Sequence, residues 1–189
     1  MSDIKVVAKN VRIAFPHLVN KHASAKYPTS KPKFGINLLI HKKRNADVIK
    51  AINAAVEELC RELSWTKNTV KALPLVEAET VVKEDGTALI GYDKDHLTLT
   101  AKCDNRPLVV DRTGTPLDGE EIEKTIYGGC RCHVSFSVYA AKQYRKICCD
   151  LRAVKFWEDD EAFAGRAPIT DADAEFGDAV ISDFEEGLI

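Results

Sequence analysis

The 189-residue sequence lacks the features that would indicate a membrane protein, a secreted protein or a familiar enzyme class. No apolar run approaches the roughly 18 residues of a membrane-spanning helix, and the opening MSDIKVVAKN has no apolar signal-peptide core. Gly-rich phosphate loops, G-x-S-x-G and H-E-x-x-H motifs are missing too. The histidines lie far apart in sequence, at His17, His22, His41, His96 and His133. We therefore expect a cytoplasmic protein that is not an enzyme.

Positive charge is almost absent from the end of the chain. Residues 158–189 hold 11 Asp and Glu but only one basic residue, Arg166, whereas residues 1–157 hold 26 Lys and Arg against 18 Asp and Glu. A basic body suits a polyanionic partner such as nucleic acid. The acidic end suits an internal mimic of that partner or a separate docking peptide, and solubility alone is the third alternative.

Length and composition indicate one globular domain with an appendage. Hydrophobic residues make up 45% of the sequence and charged residues 30%, as in ordinary globular proteins. After Trp157 neither a helical nor a strand period is sustained, so this segment buries too little apolar surface to offset the entropy of ordering. We expect one domain at residues 1–157 and a flexible acidic tail at residues 158–189.

Alternating apolar residues predict a mainly β fold. The first such stretch changes phase around Lys9 and Asn10, which indicates a bulge in a long strand. Apolar residues three and four apart predict one helix at about residues 45–63, with Asn45 capping its first turn. Five or more strands with one helix inserted after the second make a small β-barrel or sandwich. Residues 64–95 are expected to form an irregular connection with short strands and a turn at Asp85–Gly86.

The six cysteines are expected to be reduced thiols. Cys130 and Cys132 form a C-x-C pair and Cys148 and Cys149 are adjacent, and neither is the C-x-x-C pair that structural zinc usually takes. Cys103 and His133 could complete a metal site with them. Since free Cys commonly packs as a small hydrophobe, we predict core packing, no metal and no cofactor.

The strand period of two sorts each strand into an inner and an outer row. In CRCHVSFSVY the outer row combines cations, aromatics and hydroxyls: Arg131, His133, Ser135, Ser137 and Tyr139. In HLTLTAKC the outer row is His96, Thr98, Thr100 and Lys102. In the last strand we expect an inner row of Ile147, Cys149, Leu151 and Ala153, with Arg152 and Phe156 opposite.

Such rows are what the binding of single-stranded nucleic acid requires, because cations neutralise phosphates while aromatic faces stack on bases. The loops at residues 21–33 and 141–146 are each rich in Lys with a Tyr, and could close over a strand from either side. The alternative is a solvated outer sheet face. The predicted binding residues are Lys31, Lys33, Lys102, Arg106, Arg131, His133, Tyr139, Lys142, Tyr144, Arg145, Lys146 and Arg152.

Six segments of the chain carry a resemblance to known proteins: KNVRIAFPHL, KPKFGINLLI, NADVIKAINAAVEEL, DKDHLTLTAKCDNRPLVVD, IYGGCRCHVSFSVYA and ICCDLRAVKFWEDDEAFAG, which together span roughly residues 5–165. In these segments and their order the chain resembles a family of tailed-phage single-stranded DNA-binding proteins. The most specific parts are Tyr127, Gly129 and Cys130 and the L-x-A-V-x-F ending at residues 151–156. The resemblance implies an OB-fold, a five-stranded barrel, that binds single-stranded DNA in the bacterial host during replication, recombination or repair.

The chain is also similar to helix-destabilising proteins of podoviruses, which end in an acidic tail with a terminal aromatic residue. This likeness implies that the tail occupies the DNA site in the absence of DNA and recruits a DNA polymerase, helicase-primase or recombinase. The tail residues concerned are Asp178, Asp183, Phe184, Glu185 and Glu186. Here Gly187, Leu188 and Ile189 follow Phe184, so the terminal aromatic residue is missing.

Three functions stay open at this point. They are binding of single-stranded DNA, an RNA-binding or RNA-chaperone module that shares the stacking face, and a protein-docking adaptor that acts through the tail. The oligomeric state is also open, with a homodimer as one candidate.

Overall fold

The computed structural model describes residues 3–24, 27 and 29–163. It contains seven strands and two helices, in the order β1 (Ile4–His22), β2 (Lys33–His41), α1 (Ala46–Glu62), β3 (Val76–Glu77), β4 (His96–Cys103), β5 (Leu108–Val110), α2 (Gly119–Thr125), β6 (Arg131–Ala141) and β7 (Lys146–Glu158). None of the helices in these residues is long and apolar enough to cross a membrane.

Five strands close into a barrel. β4, β2, β1, β6 and β7 are antiparallel neighbours in that order, and β7 returns to β4 through a parallel pairing of Ala101 with Cys149. The predicted five-stranded barrel with an inserted helix is therefore confirmed. The sheet also carries two short outer strands, because β3 pairs with β4 and β5 pairs with β7.

The core fills the barrel and extends under α1. Phe136, Ile36 and Leu99 are fully buried inside, and α1 contributes Ile52 and Leu59 to the same cluster. Each such buried side chain stabilises the fold by about 1.5–3 kcal/mol. Four of the five cysteines considered as metal ligands are buried as well: Cys103, Cys130, Cys132 and Cys149.

The helix prediction is confirmed, but its cap differs in detail. Asn45 occupies the N-cap position without capping the helix through its side chain. Its Oδ1 instead accepts a hydrogen bond from the His41 amide at 3.1 Å, and its Nδ2 donates to the Lys9 carbonyl. The side chain thus ties the start of α1 to β2 and β1.

The register of β1 shifts at three places, the last of them between His17 and His22. The register shifts between Ala8 and Val11, where Asn10 has a φ of 52°, which confirms the predicted bulge. A second shift lies between Ala14 and His17, and here Phe15 has a φ of 48°. The second irregularity has no counterpart in the sequence prediction, because apolar alternation does not report on φ.

The predicted strand faces require correction at four positions, three in β6 and β7 and one in β4. A bulge between Ser135 and Phe136 leaves Arg152 as an extra residue in β7, so Ala153 faces outward opposite Ser135 and Phe156 packs on the core. Ser137 and Thr98, predicted to face solvent, are buried. Ser137 accepts a hydrogen bond from Arg152, and Thr98 donates one to the Leu38 carbonyl.

Two connections complete the fold. α2 has no counterpart in the sequence prediction, which placed one helix at about residues 45–63; its signal is a capping box between Asp118 and Glu121. The connection from residue 64 to 95 is irregular as expected, with a turn at Asp85–Gly86. Part of it covers the outer face of β2, where Ala78 and Tyr92 pack on Leu39.

Candidate nucleic-acid interface

An open groove runs over the outer faces of β2 and β4. Its larger cavity, about 550 Å³, is lined by Lys31, Lys33, Lys102 and Tyr139 among others, and a second cavity of about 300 Å³ shares Lys33 and Lys102 with it. We call the whole the cationic groove, and define it by residues on β1, β2, β4 and β6 and the loop at residues 23–32: His17, His22, Lys31, Lys33, Thr100, Lys102 and Tyr139.

The strand register explains why these side chains meet. Gly35 of β2 lies opposite both His17 of β1 and Lys102 of β4, and Lys33 lies opposite His22. A Cβ atom on Gly35 would lie 3.2 Å from the Lys102 Cγ. The missing side chain therefore lets the alkyl chain of Lys102 lie close to the sheet, with β1 and β4 on either side.

Cations outnumber their acidic partners in the groove. Lys31 and Lys33 share one exposed carboxylate, Asp104, at 3.3 and 3.9 Å, and Lys102 forms no ion pair with the described residues. The hydrogen bond from Lys31 and the nearby Lys33 hold the pKa of Asp104 below its usual value. Because exposed ion pairs are weak, both lysines can exchange Asp104 for a phosphate.

Two histidines form an aromatic surface beside these lysines. The rings of His17 and His22 stack with centroids 4.1 Å apart and planes within 6°. Burial, with the nearby His22 and Lys102, lowers the pKa of His17. His17 is therefore neutral near pH 7, when it offers a flat ring rather than a charge.

Tyr139 forms the wall next to β7. Burial, together with Cys148 and Asp150, raises the pKa of Tyr139 to about 12, so its phenol stays protonated. Since burial also raises the pKa of Cys148, this neighbouring thiol is not ionised near pH 7. Tyr139 thus contributes an uncharged ring and a hydroxyl group to the groove.

The turn between β6 and β7 lies at the Tyr139 end of β6 and carries four predicted residues. Tyr144 is exposed, and the Lys146 Nζ lies 6.0 Å from its ring centroid. Arg145, with a φ of 52°, points to the neighbouring segment, where it donates to Thr69 at 2.9 Å and lies over the Trp65 ring. Lys142 is exposed.

Arg106 and Arg152 lie beside a separate cavity of about 400 Å³ that also contains Asp104 and Asp150. Arg106 donates to the Val19 carbonyl at 3.1 Å, and Arg152 donates to Ser137 at 3.3 Å. Because Asp104 also pairs with Lys31 and Lys33, this cavity adjoins the cationic groove.

Arg131 and His133 lie at the far end of β6. They are eight and six residues from Tyr139, roughly 27 and 20 Å along the strand. Arg131 donates to Asp160 at 2.8 Å. His133 stacks on Trp157, with ring centroids 4.5 Å apart. The structure therefore does not bring these two residues together with the groove lysines.

Residues 158–163, which the sequence analysis assigned to the flexible tail, contact the barrel, and we call them the C-terminal strap. Glu158 ends β7, and the Tyr127 hydroxyl donates to Asp159 at 2.7 Å. The Phe163 amide donates to the Gly128 carbonyl at 2.9 Å. The predicted tail residues, Asp178, Asp183, Phe184, Glu185 and Glu186, lie outside the described residues.

The barrel surface contacts the strap through Arg12 and Gly129. Arg12 pairs with Asp160 at 3.4 Å, and its guanidinium lies 4.3 Å from the Phe163 ring centroid. Gly129 has a φ of 111°, and a Cβ atom there would overlap the Glu161 carbonyl. The strap thus neutralises Arg12 and Arg131 at the end of β6 that is distant from Tyr139.

Three aromatic side chains that line the groove are absent from the predicted set: Phe15, His17 and His22. The histidines are five residues apart, and the irregular register of β1 stacks them. Lys31 and Lys33, by contrast, are in the predicted set because the loop is visibly basic, and the structure places both in the groove.

For the cysteines, a metal site is the alternative to packing in the core. The Cys130 and Cys132 sulfurs lie 3.7 Å apart. Among the described residues, no group of three or more His, Cys, Asp or Glu is arranged to hold a metal ion. Burial raises the pKa of Cys149 to about 12 and that of Cys103 to about 11, so these two thiols behave as core hydrophobes.

The connectivity and the groove define the class of protein. A five-stranded barrel with a groove on its second and third strands, flanked by the first and last barrel loops, is an OB-fold with the oligomer-binding face in its usual place. The family model described as the ssDNA-binding protein of Enterobacter phage Enc34 matches residues 4–186. The chain therefore belongs to this family.

Individual relatives and solved structures are similar to the chain over most of their length. Protein p50 of Acyrthosiphon pisum secondary endosymbiont phage 1 is 30% identical over 172 residues, covering 86% of this chain and 88% of the relative. The solved single-stranded DNA-binding protein of bacteriophage Enc34 in complex with ssDNA has a TM-score of 0.68 at 23% identity, covering 85% of this chain and 89% of that one. Another solved structure of the Enc34 single-stranded DNA-binding protein has a TM-score of 0.67 at 22% identity, covering 90% of this chain and 89% of that one.

Proposed function

We propose that this chain binds single-stranded DNA without sequence preference, along the cationic groove. The observation that carries the proposal is the surplus of lysine over carboxylate on the binding face of an OB-fold. Lys31, Lys33 and Lys102 lie around the neutral rings of His17 and Tyr139, and among the described residues only Asp104 pairs with any of these lysines. The related Enc34 protein is one whose complex with ssDNA has been solved.

The proposed contacts divide into four groups. Lys31, Lys33, Lys102 and Tyr139 form the centre, where ammonium groups bind phosphates and the ring stacks on a base. Arg106 and Arg152 extend this site on one side. The turn residues follow the Tyr139 wall: Lys142, Tyr144, Arg145 and Lys146. Arg131 and His133 would contact only a strand that continues to the far end of β6.

Binding of this kind needs no nucleotide hydrolysis. A protein that binds the melted state in preference to the duplex shifts the equilibrium towards single strands by mass action. Coating by this chain would then protect and melt strands during phage DNA replication, recombination or repair in the cytoplasm of the bacterial host.

The acidic C-terminal segment is proposed to compete with DNA for the groove. Residues 164–189 carry seven acidic residues against Arg166, and the tether gives them a high effective concentration near the barrel. Deleting residues 166–189 is expected to tighten DNA binding about tenfold at low salt. A control variant with Asp178, Asp183, Glu185 and Glu186 changed to amides should behave similarly; unchanged or weaker binding in both variants would contradict competition.

The same segment is proposed to recruit a DNA polymerase, helicase-primase or recombinase when DNA displaces it. Phe184 among its acids would provide an apolar anchor for such a partner. Binding assays between candidate partners and the DNA-loaded protein, with Phe184→Ala as the matched variant, test this step. Analytical ultracentrifugation tests the homodimer candidate.

Fluorescence titration with an oligo-dT across a range of salt concentrations tests the main proposal. We expect affinity to fall steeply with salt, with a slope of about −0.7 per phosphate contact. Competition with a matched RNA and a matched duplex separates DNA preference from general polyanion binding. Failure to bind oligo-dT at low salt, with or without residues 166–189, would overturn the proposal.

A further inference from the structure

Phe15 has a backbone conformation that an aromatic residue rarely adopts. Its φ of 48° lies in the left-handed region, where a bulky side chain is an outlier. Such outliers persist only where the surrounding structure imposes them, and they cluster at binding sites. Two residues further on, β1 resumes its pairing with β2 at His17.

The unusual backbone does not serve to bury the ring. Phe15 is 50% exposed, and its only ring partner among the described residues is Tyr92, with centroids 6.3 Å apart and planes tilted by 51°. A ring selected for packing would be expected in the core. The conformation instead presents an aromatic face to solvent next to the groove.

Phe15 separates two cavities. On one side it lines the cationic groove together with Lys33 and Lys102. On the other side it lines a mostly apolar cavity of about 530 Å³, with Ile90, Tyr92, Phe163 and Lys83. Ile90 is 66% exposed, so this second cavity offers apolar surface to solvent directly beyond the cations.

We infer that a DNA strand in the cationic groove continues past Phe15, and that Phe15 stacks on an unpaired base held in the apolar cavity. This inference rests on the proposed function. A nucleotide fits both cavities. The apolar face of its base suits the apolar cavity, and its phosphate suits the cations on either side, which are Lys33 and Lys102 in the groove and Lys83 in the apolar cavity. Because Phe15 lines both cavities, a strand that leaves the groove at Phe15 enters the apolar cavity directly.

The test compares two strands of equal length in the full chain, oligo-dT and an oligomer of abasic tetrahydrofuran phosphates. The unchanged protein should prefer oligo-dT, since the abasic strand retains only phosphate contacts. Phe15→Gly should reduce this preference by about 5- to 150-fold, the range of one base–aromatic stack, with little change in affinity for the abasic strand. Leu108→Ala, which removes another exposed apolar side chain outside both cavities, should leave the preference intact.

Stability measurements separate binding from folding. Glycine accepts a positive φ, so Phe15→Gly should keep the melting temperature within about 2 °C, because relieved strain offsets the lost half-exposed ring. Phe15→Leu, which stays apolar but lacks a flat face, should lose the preference for bases as Phe15→Gly does.

Each other outcome overturns this inference or the proposal beneath it. If Phe15→Gly or Phe15→Leu retained the full preference for oligo-dT over the abasic strand, no base would stack on Phe15. Weakened binding of both strands to the same degree would assign Phe15 a structural role. If the unchanged protein binds neither strand at low salt, the proposed function fails first, and a protein partner for the apolar cavity becomes the alternative.

Discussion

The cationic groove and the surface under the C-terminal strap differ in how their basic residues are paired. In the cationic groove Lys31 and Lys33 share one exposed carboxylate, and Lys102 pairs with none among the described residues. At the strap, Arg12 and Arg131 both contact Asp160, and Phe163 covers one guanidinium. Basic residues on one barrel surface therefore divide into a set free to exchange partners and a set already neutralised by the chain itself.

The choice of side chain agrees with this division. Lysine is a flexible point charge that can follow a mobile phosphate, whereas arginine holds planar, directed hydrogen bonds. The groove centre uses lysine, and the strap uses arginine. A count of cations thus overestimates the binding surface unless the acids that each cation meets are also counted.

The largest expected effect follows from reversing charge in the groove. Lys33→Glu combined with Lys102→Glu should weaken oligo-dT binding by about 100-fold or more at 50 mM salt. The slope of the logarithm of the binding constant against the logarithm of the salt concentration should become less negative by roughly 1.4, since two phosphate contacts are lost. Lys43→Glu with Lys124→Glu, exposed lysines elsewhere, makes the same change in net charge. Equal losses in both double variants would mean that net charge, rather than the groove, governs binding.

The second largest effect is expected on stability, when the contact between Gly129 and the strap is disrupted. In Gly129→Ala the new Cβ atom would overlap the Glu161 carbonyl, so we expect the free energy of unfolding to fall by about 2–3 kcal/mol. Gly114→Ala is the matched control, because Gly114 also has a positive φ but no atom within 4 Å of an added Cβ atom. Chemical denaturation of both variants isolates the strap contact; equal losses would contradict it.

Removing one strap charge should have a smaller effect. Asp160→Asn removes the carboxylate that Arg12 and Arg131 share, although Glu158 stays 3.9 Å from Arg131, and we expect a loss of about 1 kcal/mol at pH 7. The Glu161 amide together with Arg12 and Arg131 lowers the pKa of Asp160, so its contribution is present above the usual Asp pKa and disappears as pH falls through the lowered value. Denaturation at pH 7 and near pH 3 should show the difference from the unchanged protein shrinking in acid.

Acidification should produce the smallest effects, with opposite signs for folding and binding. The pKa of His17, His41 and His133 is lowered in the folded chain, chiefly by burial, so the unfolded chain takes up more protons and stability falls as pH drops through about 6.5. A bound phosphate would favour charged His17 despite Lys102 and His22, so oligo-dT binding should tighten about two- to threefold from pH 7.5 to 5.5. Titrations of His17→Gln, expected to show less tightening, check the assignment.

Much of the barrel could be predicted from sequence because its signals are local and repeated. Alternation in β2 and β4 and the helical spacing in α1 each extend over several residues, so single exceptions do not obscure them. The basic loop around Lys31 and Lys33 was likewise visible in composition alone. The structure brings Lys31, Lys33 and Lys102 together along one groove, and their role in binding stays a prediction.

What could not be predicted depends on single residues or on contacts between distant segments. One extra residue at Arg152 reverses the faces of β7 beyond it, and alternation alone cannot locate such a residue. The strap has no period because its partners are Tyr127, Gly128 and two arginines rather than a neighbouring strand. The exposed ring of Phe15 depends on a backbone angle that composition does not record.

The shortness of β3 and β5 has a consequence for a protein that would line up in many copies on one filament of nucleic acid. Crowded neighbours with long unpaired strand borders tend to join edge to edge and aggregate. In the part of the chain that the structure describes, the pairing of β4 with β7 closes the ring of five strands, and the added strands are only two and three residues long. Dense arrays of this chain could therefore assemble and come apart again without their sheets fusing.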